Sequence, residues 1–202
     1  MDESTLVRAA QGGNLDAFNQ LVLAYQELAY NVAFGILSED ASAEDATQNA
    51  FISAYRSIRG FRGGSFRAWL LRIVTNTCFD ELRRRKRRPT TPLEPLDNDD
   101  QEIESPAWLA DSRDDPEEAA EQAELSRAIE RCVQRLPDEY RVVVVLVDIQ
   151  GFDYREVAEA LGKPLGTVKS RLARARLRLR SCLQQVQELL PVELRLEVEE
   201  RA

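Results

Sequence analysis

Apolar residues in the first half of the chain recur at steps of three and four, the spacing of one face of an α-helix. The longest such series runs Leu15, Phe18, Leu21, Val22, Tyr25, Leu28, Ala29, Val32 and Ile36. A second helix is predicted to begin near Ser42, where Glu44 and Asp45 suit the positive end of a helix, and to end near Ile58. A loop with three glycines follows, and the helical pattern resumes over residues 65–87. The first half is therefore predicted to be helical.

The second half has the same periodicity, with one ambiguous stretch. Residues 118–135 carry apolar side chains at helical spacing, whereas residues 142–147 are a valine-rich run that propensity alone assigns to a strand. A single strand would have no partner, so we predict a buried helix there. Asp153 and Glu156 then form the pattern of a helix N-cap, Gly162 ends that short helix, and a long basic helix follows. The predicted fold class is all-α.

Charge is segregated along the chain, although the net charge is −8. Residues 59–88 hold ten Lys/Arg against two Asp/Glu, and residues 151–182 hold eight against three. Between them, residues 89–125 hold thirteen Asp/Glu against one Arg and contain five prolines. Acidic sequence interrupted by proline does not sustain a regular helix. We therefore predict two small helical domains, 1–88 and 118–185, joined by a flexible acidic linker, 89–117, and followed by a short acidic tail, 186–202.

Composition argues against several classes of function. The sequence has no histidine, and Cys78, Cys132 and Cys182 form no CxxC pair, so neither a metal site nor a cofactor is expected. The absence of a nucleophile–base constellation and of a phosphate-binding glycine loop argues against an enzyme. No membrane helix or secretory signal is found, so we expect a cytoplasmic protein without direct membrane insertion. The cysteines are expected to be three small buried or half-buried thiols, since a redox pair would require two of them to meet in space.

Residues 153–180 have the pattern of a helix-turn-helix, two helices joined by a short turn that contains glycine. The second helix of such a motif lies in the major groove and presents its N-terminal residues to base edges. Val168, Leu172 and Ala175 are spaced to face inward, which turns the basic residues outward. The alternative is a solvated basic face on a structural helix. The residues expected to contact DNA are Thr167, Lys169, Ser170, Arg171, Ala173, Arg174 and Arg176.

A second candidate nucleic-acid surface lies in the first basic region. Arg72, Asn76 and Asp80 are spaced four residues apart and so share one helix face there. An asparagine side chain can form two hydrogen bonds to adenine. Just before these three residues, aromatic and cationic residues alternate around a glycine loop, a combination that holds unpaired strands. The alternative for Phe66 and Trp69 is a place in the core. The residues expected to contact DNA are Phe61, Arg62, Gly63, Ser65, Phe66, Trp69, Arg72, Asn76, Asp80, Arg83 and Arg84.

Both halves together resemble the bacterial sigma-70 family, in particular the small extracytoplasmic-function (ECF) sigma factors that keep only regions 2 and 4. The resemblance rests on AEDATQNAFISAYRSIRGFRGGSFRAWLLRIVTNTCFDELRRRKRR and LPDEYRVVVVLVDIQGFDYREVAEALGKPLGTVKSRLARARLRL. It implies that domain 1–88 is region 2, which binds the polymerase clamp and melts the −10 element. Domain 118–185 would be region 4, which reads the −35 element. Loop 62–66 would capture a flipped base, and Arg171 and Arg176 would contact phosphates.

The resemblance also implies partners. These are core RNA polymerase, through its β′ clamp helices and β flap, promoter DNA, and an anti-sigma factor, which could hold the protein at the inner membrane. The clamp-helix surface would comprise Asp45, Gln48, Asn49 and Phe51, with Asn49 where the family favours Glu. The acidic linker is either a nucleic-acid mimic in the RNA exit region or a solubilising tether. The rival function, a self-contained duplex-binding regulator, has no need for the aromatic and basic segment at 61–88.

Overall fold

The computed structural model describes residues 2–87 and 116–185, and within those ranges it consists of helices and short connections without any strand. This confirms the all-α fold class. The predicted tail 186–202, and the linker 89–117 apart from its last two residues, lie outside the described ranges. The helices are α1 (Glu3–Gln11), α2 (Leu15–Leu37), α3 (Asp40–Ser57), α4 (Phe66–Arg87), α5 (Pro116–Gln134), α6 (Asp138–Val144), α7 (Tyr154–Leu161) and α8 (Leu165–Leu183).

In the first half, α2 is the central helix and packs against α1, α3 and α4. It begins after Asn14, whose side-chain oxygen accepts the Ala17 N–H at 3.0 Å. Helix α3 begins at Asp40, before the predicted start at Ser42, and the Ser42 hydroxyl donates instead to the Glu39 carboxylate at 2.7 Å. The predicted apolar series supplies most of the α2 core residues, which are Ala17, Phe18, Leu21, Ala29, Val32, Ala33, Phe34, Ile36 and Leu37.

The valine-rich run is helical, as predicted. Residues 142–144 end α6, and the chain continues into a π-helical turn, Val145–Ile149. Val143, Val145 and Leu146 are completely buried. Burial of the branched side chains on every side of this short segment outweighs their preference for strands, because strand propensity largely reflects how such side chains pack.

The helix-turn-helix is formed by α7 and α8. The Asp153 carboxylate accepts the N–H groups of Arg155 and Glu156, at 2.7 and 2.9 Å. The Glu156 carboxylate in turn accepts the Asp153 N–H at 3.1 Å, which completes a capping box. Gly162 ends α7 with φ 59° and ψ 38°, a left-handed conformation that glycine adopts without strain. Helix α8 then begins at Leu165.

The two halves pack against each other and share one continuous core. Helix α4 lies against α7, and α2 lies against α6 and the π-helical turn. The Arg141 guanidinium, which is largely buried, donates to the Ile36 carbonyl of α2 at 2.8 Å and to the Gln134 carbonyl at 2.6 Å. Burial lowers the pKa of Arg141 below its usual range. The Lys86 ammonium adds an ion pair to Asp138 at 2.5 Å.

The expectation of three isolated thiols is wrong for two of the cysteines. Cys132 of α5 and Cys182 of α8 form a disulfide, with their Cα atoms 5.8 Å apart. The two helices pack side by side, which brings together residues that are 50 apart in sequence. Cys78 is a free thiol, buried inside the first half.

Candidate nucleic-acid interface

The DNA-reading face predicted on α8 is open. Val168, Leu172 and Ala175 are buried in the core, as their spacing predicts. The outward face carries four of the predicted contact residues, Lys169, Ser170, Ala173 and Arg174, all of them exposed. Thr167 is half-buried in the first turn, where its carbonyl accepts the Ser170 hydroxyl at 3.1 Å. The helix therefore presents a short polar and basic strip at its N-terminal end.

Two other predicted arginines flank this strip, and both are held by carboxylates of the same half. Arg171 donates to Glu139 of α6 at 2.6 Å, and Arg176 donates to Asp148 at 2.5 and 3.1 Å. The hydrogen bond to Asp148 raises the pKa of Arg176 above its usual value. Among the described residues Arg174 has no ion-pair partner, so its guanidinium is the more available of the three.

The predicted face on α4 is also open. Arg72, Asn76 and Asp80 are all exposed, and their four-residue spacing places them along one side of the helix. Arg83 donates to Asp80 at 2.7 Å, and Arg84 forms a two-pronged contact with Glu81 at 2.8 and 3.0 Å. Hydrogen bonding to Arg84 lowers the pKa of the Glu81 carboxyl. Asn76 thus lies free in the middle of a strip whose ends are charged.

The aromatic residues before α4 form a packed cluster. The ring centroids of Phe61, Phe66 and Trp69 lie 5.3 to 6.0 Å from one another. Phe66 is only 1% exposed and also contacts Tyr25, so the structure places it in the core, the alternative considered from the sequence. Phe61 and Trp69 are half-buried and form the outer surface of the cluster.

The loop over this cluster is anchored at both ends and open in the middle. The Gln11 side-chain amide donates to the Phe61 carbonyl at 2.7 Å, and the Ser65 hydroxyl accepts the Ala68 N–H at 3.1 Å. Between these anchors Arg62 and Gly63 are exposed. Gly63 has φ 94°, which a residue with a side chain rarely adopts. The loop thus offers a cation and bare backbone beside half-buried rings.

The third predicted surface, on α3, combines polar residues with an apolar groove. Asp45, Gln48 and Asn49 are exposed, whereas Phe51 is buried and forms part of the groove floor. The groove runs between α2 and α3, and sequence analysis missed its exposed apolar residues. The helical pattern does not reveal them, because it counts Leu15 among the apolar positions expected to be buried. These exposed residues are Leu15, Ile52 and Tyr55.

Within residues 2–87 and 116–185, no group of three or more Cys, Asp or Glu side chains is arranged to hold a metal ion. No helix in those ranges is long and apolar enough to cross a membrane.

The fold and its exposed basic faces define a helix-turn-helix protein of the kind that binds nucleic acid. Two family models match the chain, Sigma-70 region 2 over residues 21–88 and Sigma-70, region 4 over residues 126–179. The chain belongs to the sigma-70 family.

Relatives of known name agree with this assignment. RNA polymerase sigma-H factor of Pseudomonas aeruginosa is 34% identical over 90% of this chain and 94% of its own length. ECF RNA polymerase sigma-E factor of Escherichia coli K12 is 35% identical over 87% and 91%. ECF RNA polymerase sigma factor SigE of Mycolicibacterium smegmatis is 36% identical over 84% of this chain, which spans only 62% of that longer protein.

Solved structures show the same fold. CnrH in complex with the cytosolic domain of CnrY superposes with a TM-score of 0.63 at 25% identity, covering 90% of this chain and 96% of that one. The sigma factor RpoE in complex with the anti-sigma factor NepR from Bartonella quintana gives a TM-score of 0.61 at 22% identity, over 84% and 98%.

Proposed function

We propose that this protein is an ECF sigma factor that binds core RNA polymerase and directs promoter-specific initiation of transcription. The observation that carries the proposal is the presence of two different nucleic-acid faces in one chain. The face on α8 has the shape and charge for duplex DNA, whereas the loop before α4 suits an unpaired strand. A protein that only binds duplex needs the first face and not the second.

The face on α8 reads the −35 element as duplex. Lys169, Ser170, Ala173 and Arg174 reach base edges, because they are exposed on the first three turns of a helix that a major groove accommodates. On binding, Arg171 leaves the Glu139 carboxylate and contacts a phosphate oxygen of the DNA. Arg176 likewise leaves the Asp148 carboxylate for a phosphate oxygen, and Thr167 supports the first turn.

The −10 element is held in its melted form by the first half. Arg72, Asn76 and Asp80 set the sequence preference along α4, and Arg83 and Arg84 contact the phosphate backbone beside them.

Loop residues Arg62, Gly63 and Ser65 receive an unpaired base against the outer surface of the aromatic cluster, where Phe61 and Trp69 are within reach. Stacking of this kind accepts any base, so preference comes from the hydrogen bonds that accompany it. Phe66 supports both rings from below.

Core polymerase is bound through α3. Asp45, Gln48 and Asn49 form the polar part of the contact with the β′ clamp helices, and Phe51 underlies the apolar groove beside them. Polar residues around an apolar centre are typical of protein interfaces. The second half contacts the β flap. The chemistry of RNA synthesis belongs to polymerase, so this chain needs no catalytic residue. It acts in the cytoplasm and is held inactive by an anti-sigma factor.

Reconstitution tests the proposal directly. Purified chain is mixed with core RNA polymerase that lacks any sigma factor, and transcripts are sequenced from a library of randomised promoters. We expect binding to core and initiation from promoters that share one −35 and one −10 sequence. A chain that binds duplex DNA alone but neither binds core nor supports initiation would be a duplex regulator, and the proposal would be wrong.

A further inference from the structure

The disulfide between α5 and α8 occupies a particular place in the second half. Cys132 lies near the end of α5, and Cys182 lies in the last turn of α8, the helix that carries the DNA-reading face. The 50-residue separation between them contains α6, α7 and nearly all of α8. The cross-link therefore closes a loop around the whole helix-turn-helix.

The pair can be reached by small reactants. Cys132 is buried, whereas Cys182 is half-buried, and both line an open cavity on the surface. Arg135 and Arg178 line the same cavity. Neighbouring cations favour the thiolate, which is the form of cysteine that attacks a disulfide. The cavity thus joins the two requirements of thiol–disulfide exchange, access and positive charge.

Cys78 provides the contrast within the same chain. It is completely buried, and burial raises the pKa of its thiol to about 12. A neutral and inaccessible thiol does not take part in exchange.

We propose that Cys132 and Cys182 form a reversible thiol–disulfide site whose reactant is a small-molecule disulfide of the glutathione class. The Cys182 thiolate attacks one sulfur of the reactant, forms a mixed disulfide and releases one thiolate. The Cys132 thiol loses its proton to solvent, and its sulfur displaces the second small thiolate. The protein loses two hydrogen atoms and the reactant is reduced to two thiols, so electrons and protons balance.

In the oxidised protein, the disulfide joins the C-terminal end of α8 to α5. Cys182 is eight residues beyond Arg174, about 12 Å along a helix that rises 1.5 Å per residue. The cross-link therefore stabilises the second half without touching the residues that face DNA. A 50-residue loop closed in the unfolded chain corresponds to an increase of roughly 10 °C in the unfolding temperature of a protein of this size.

The experiment uses the full chain in buffers of graded ratio of reduced to oxidised glutathione. Free thiols are alkylated, and tryptic peptides are identified by mass. We expect a Cys132–Cys182 cross-linked peptide to appear as the ratio falls, with Cys78 unmodified unless the chain is denatured. Thermal unfolding of the oxidised chain should come roughly 10 °C above that of the fully reduced chain.

Three variants separate this site from general effects of oxidation. Cys182→Ser, at a half-buried position, should unfold at the same temperature in both buffers, and Cys132→Ser should behave alike. Cys78→Ala, the matched control, should keep the full difference. Absence of the cross-linked peptide in the folded wild-type chain would overturn the proposal, and so would a difference that persists in Cys182→Ser. None of these measurements involves polymerase or DNA, so they are independent of the proposed function.

Discussion

Replacing Gly35 by alanine tests whether the two halves are held together by the packing described above. A Cβ atom at Gly35 would lie 2.8 Å from Cγ1 and 3.0 Å from Cγ2 of Val145. Val145 is completely buried, so its side chain has no free space into which to turn. Because Gly35 belongs to α2 and Val145 to the π-helical turn, the clash falls on the contact between the halves.

The substitution has two opposing effects on the free energy of the packed form. Forcing an extra methyl group into a packed site costs about 1–3 kcal/mol. Alanine is better than glycine inside a helix by about 1 kcal/mol, but this gain is the same whether the halves are packed or apart. The substitution should therefore shift the equilibrium toward separated halves by about 1–3 kcal/mol, which is a factor of roughly 5 to 150.

Two measurements detect this shift. Small-angle X-ray scattering reports the radius of gyration, and amide hydrogen exchange in residues 138–149 reports even rare opening. We expect Gly35→Ala to increase the radius of gyration or to accelerate amide hydrogen exchange in residues 138–149. Gly60→Ala, which adds the same methyl group where no atom lies within 4 Å, should do neither. Adding Val145→Ala to Gly35→Ala should restore the packed form, because both clashing carbons are removed. If Gly35→Ala merely raises thermal stability, and exchange is unchanged, the reasoning is wrong.

Three further predictions concern single side chains. Arg174→Ala should weaken binding of −35 duplex by roughly 1–3 kcal/mol and relax the sequence preference at one base pair, as measured by competition among duplexes. Equal weakening on all sequences would make Arg174 a phosphate contact. The control is Arg127→Ala, which removes an exposed cation on α5. Asn76→Ala should change −10 preference in transcription from promoter libraries, and a changed −35 preference would contradict the assignment. Glu130→Gln should raise the unfolding temperature at pH 7, because burial raises the pKa of that carboxyl and one of its oxygens has no hydrogen-bond partner. Since ionisation is what costs stability, the gain should fade as the pH falls through the raised pKa of Glu130 and be gone below the usual pKa of a glutamate; a gain that persists there would refute the explanation.

Local sequence signals predicted most of the helices. The stripe from Leu15 to Ile36 and the capping box of Asp153 and Glu156 depend on residues within one or two helical turns, so they are visible without a structure. The valine-rich run needed one further argument, that a lone strand has no partner. The same locality placed the open face of α8, because its buried and exposed residues follow from helical geometry alone.

Contacts between distant segments could not be read in this way. The pairing of Arg171 with Glu139 depends on how α8 crosses α6, and the disulfide depends on how α8 lies beside α5. Phe66 showed the limit most clearly, since an aromatic residue in a basic loop suits either stacking on a base or a place in the core. Its neighbour Tyr25, 41 residues earlier in the sequence, decides its environment in this structure.

The core shared by the two halves changes what a measured affinity means for this protein. Suppose that a partner binds only when the halves are apart. Its apparent dissociation constant is then its intrinsic constant divided by the fraction of chains that are open. The buried Arg141 and the close approach of Gly35 to Val145 would enter that constant although they touch no partner. Substitutions at these positions would change the affinity of the protein for every such partner by the same factor, whichever surface the partner uses.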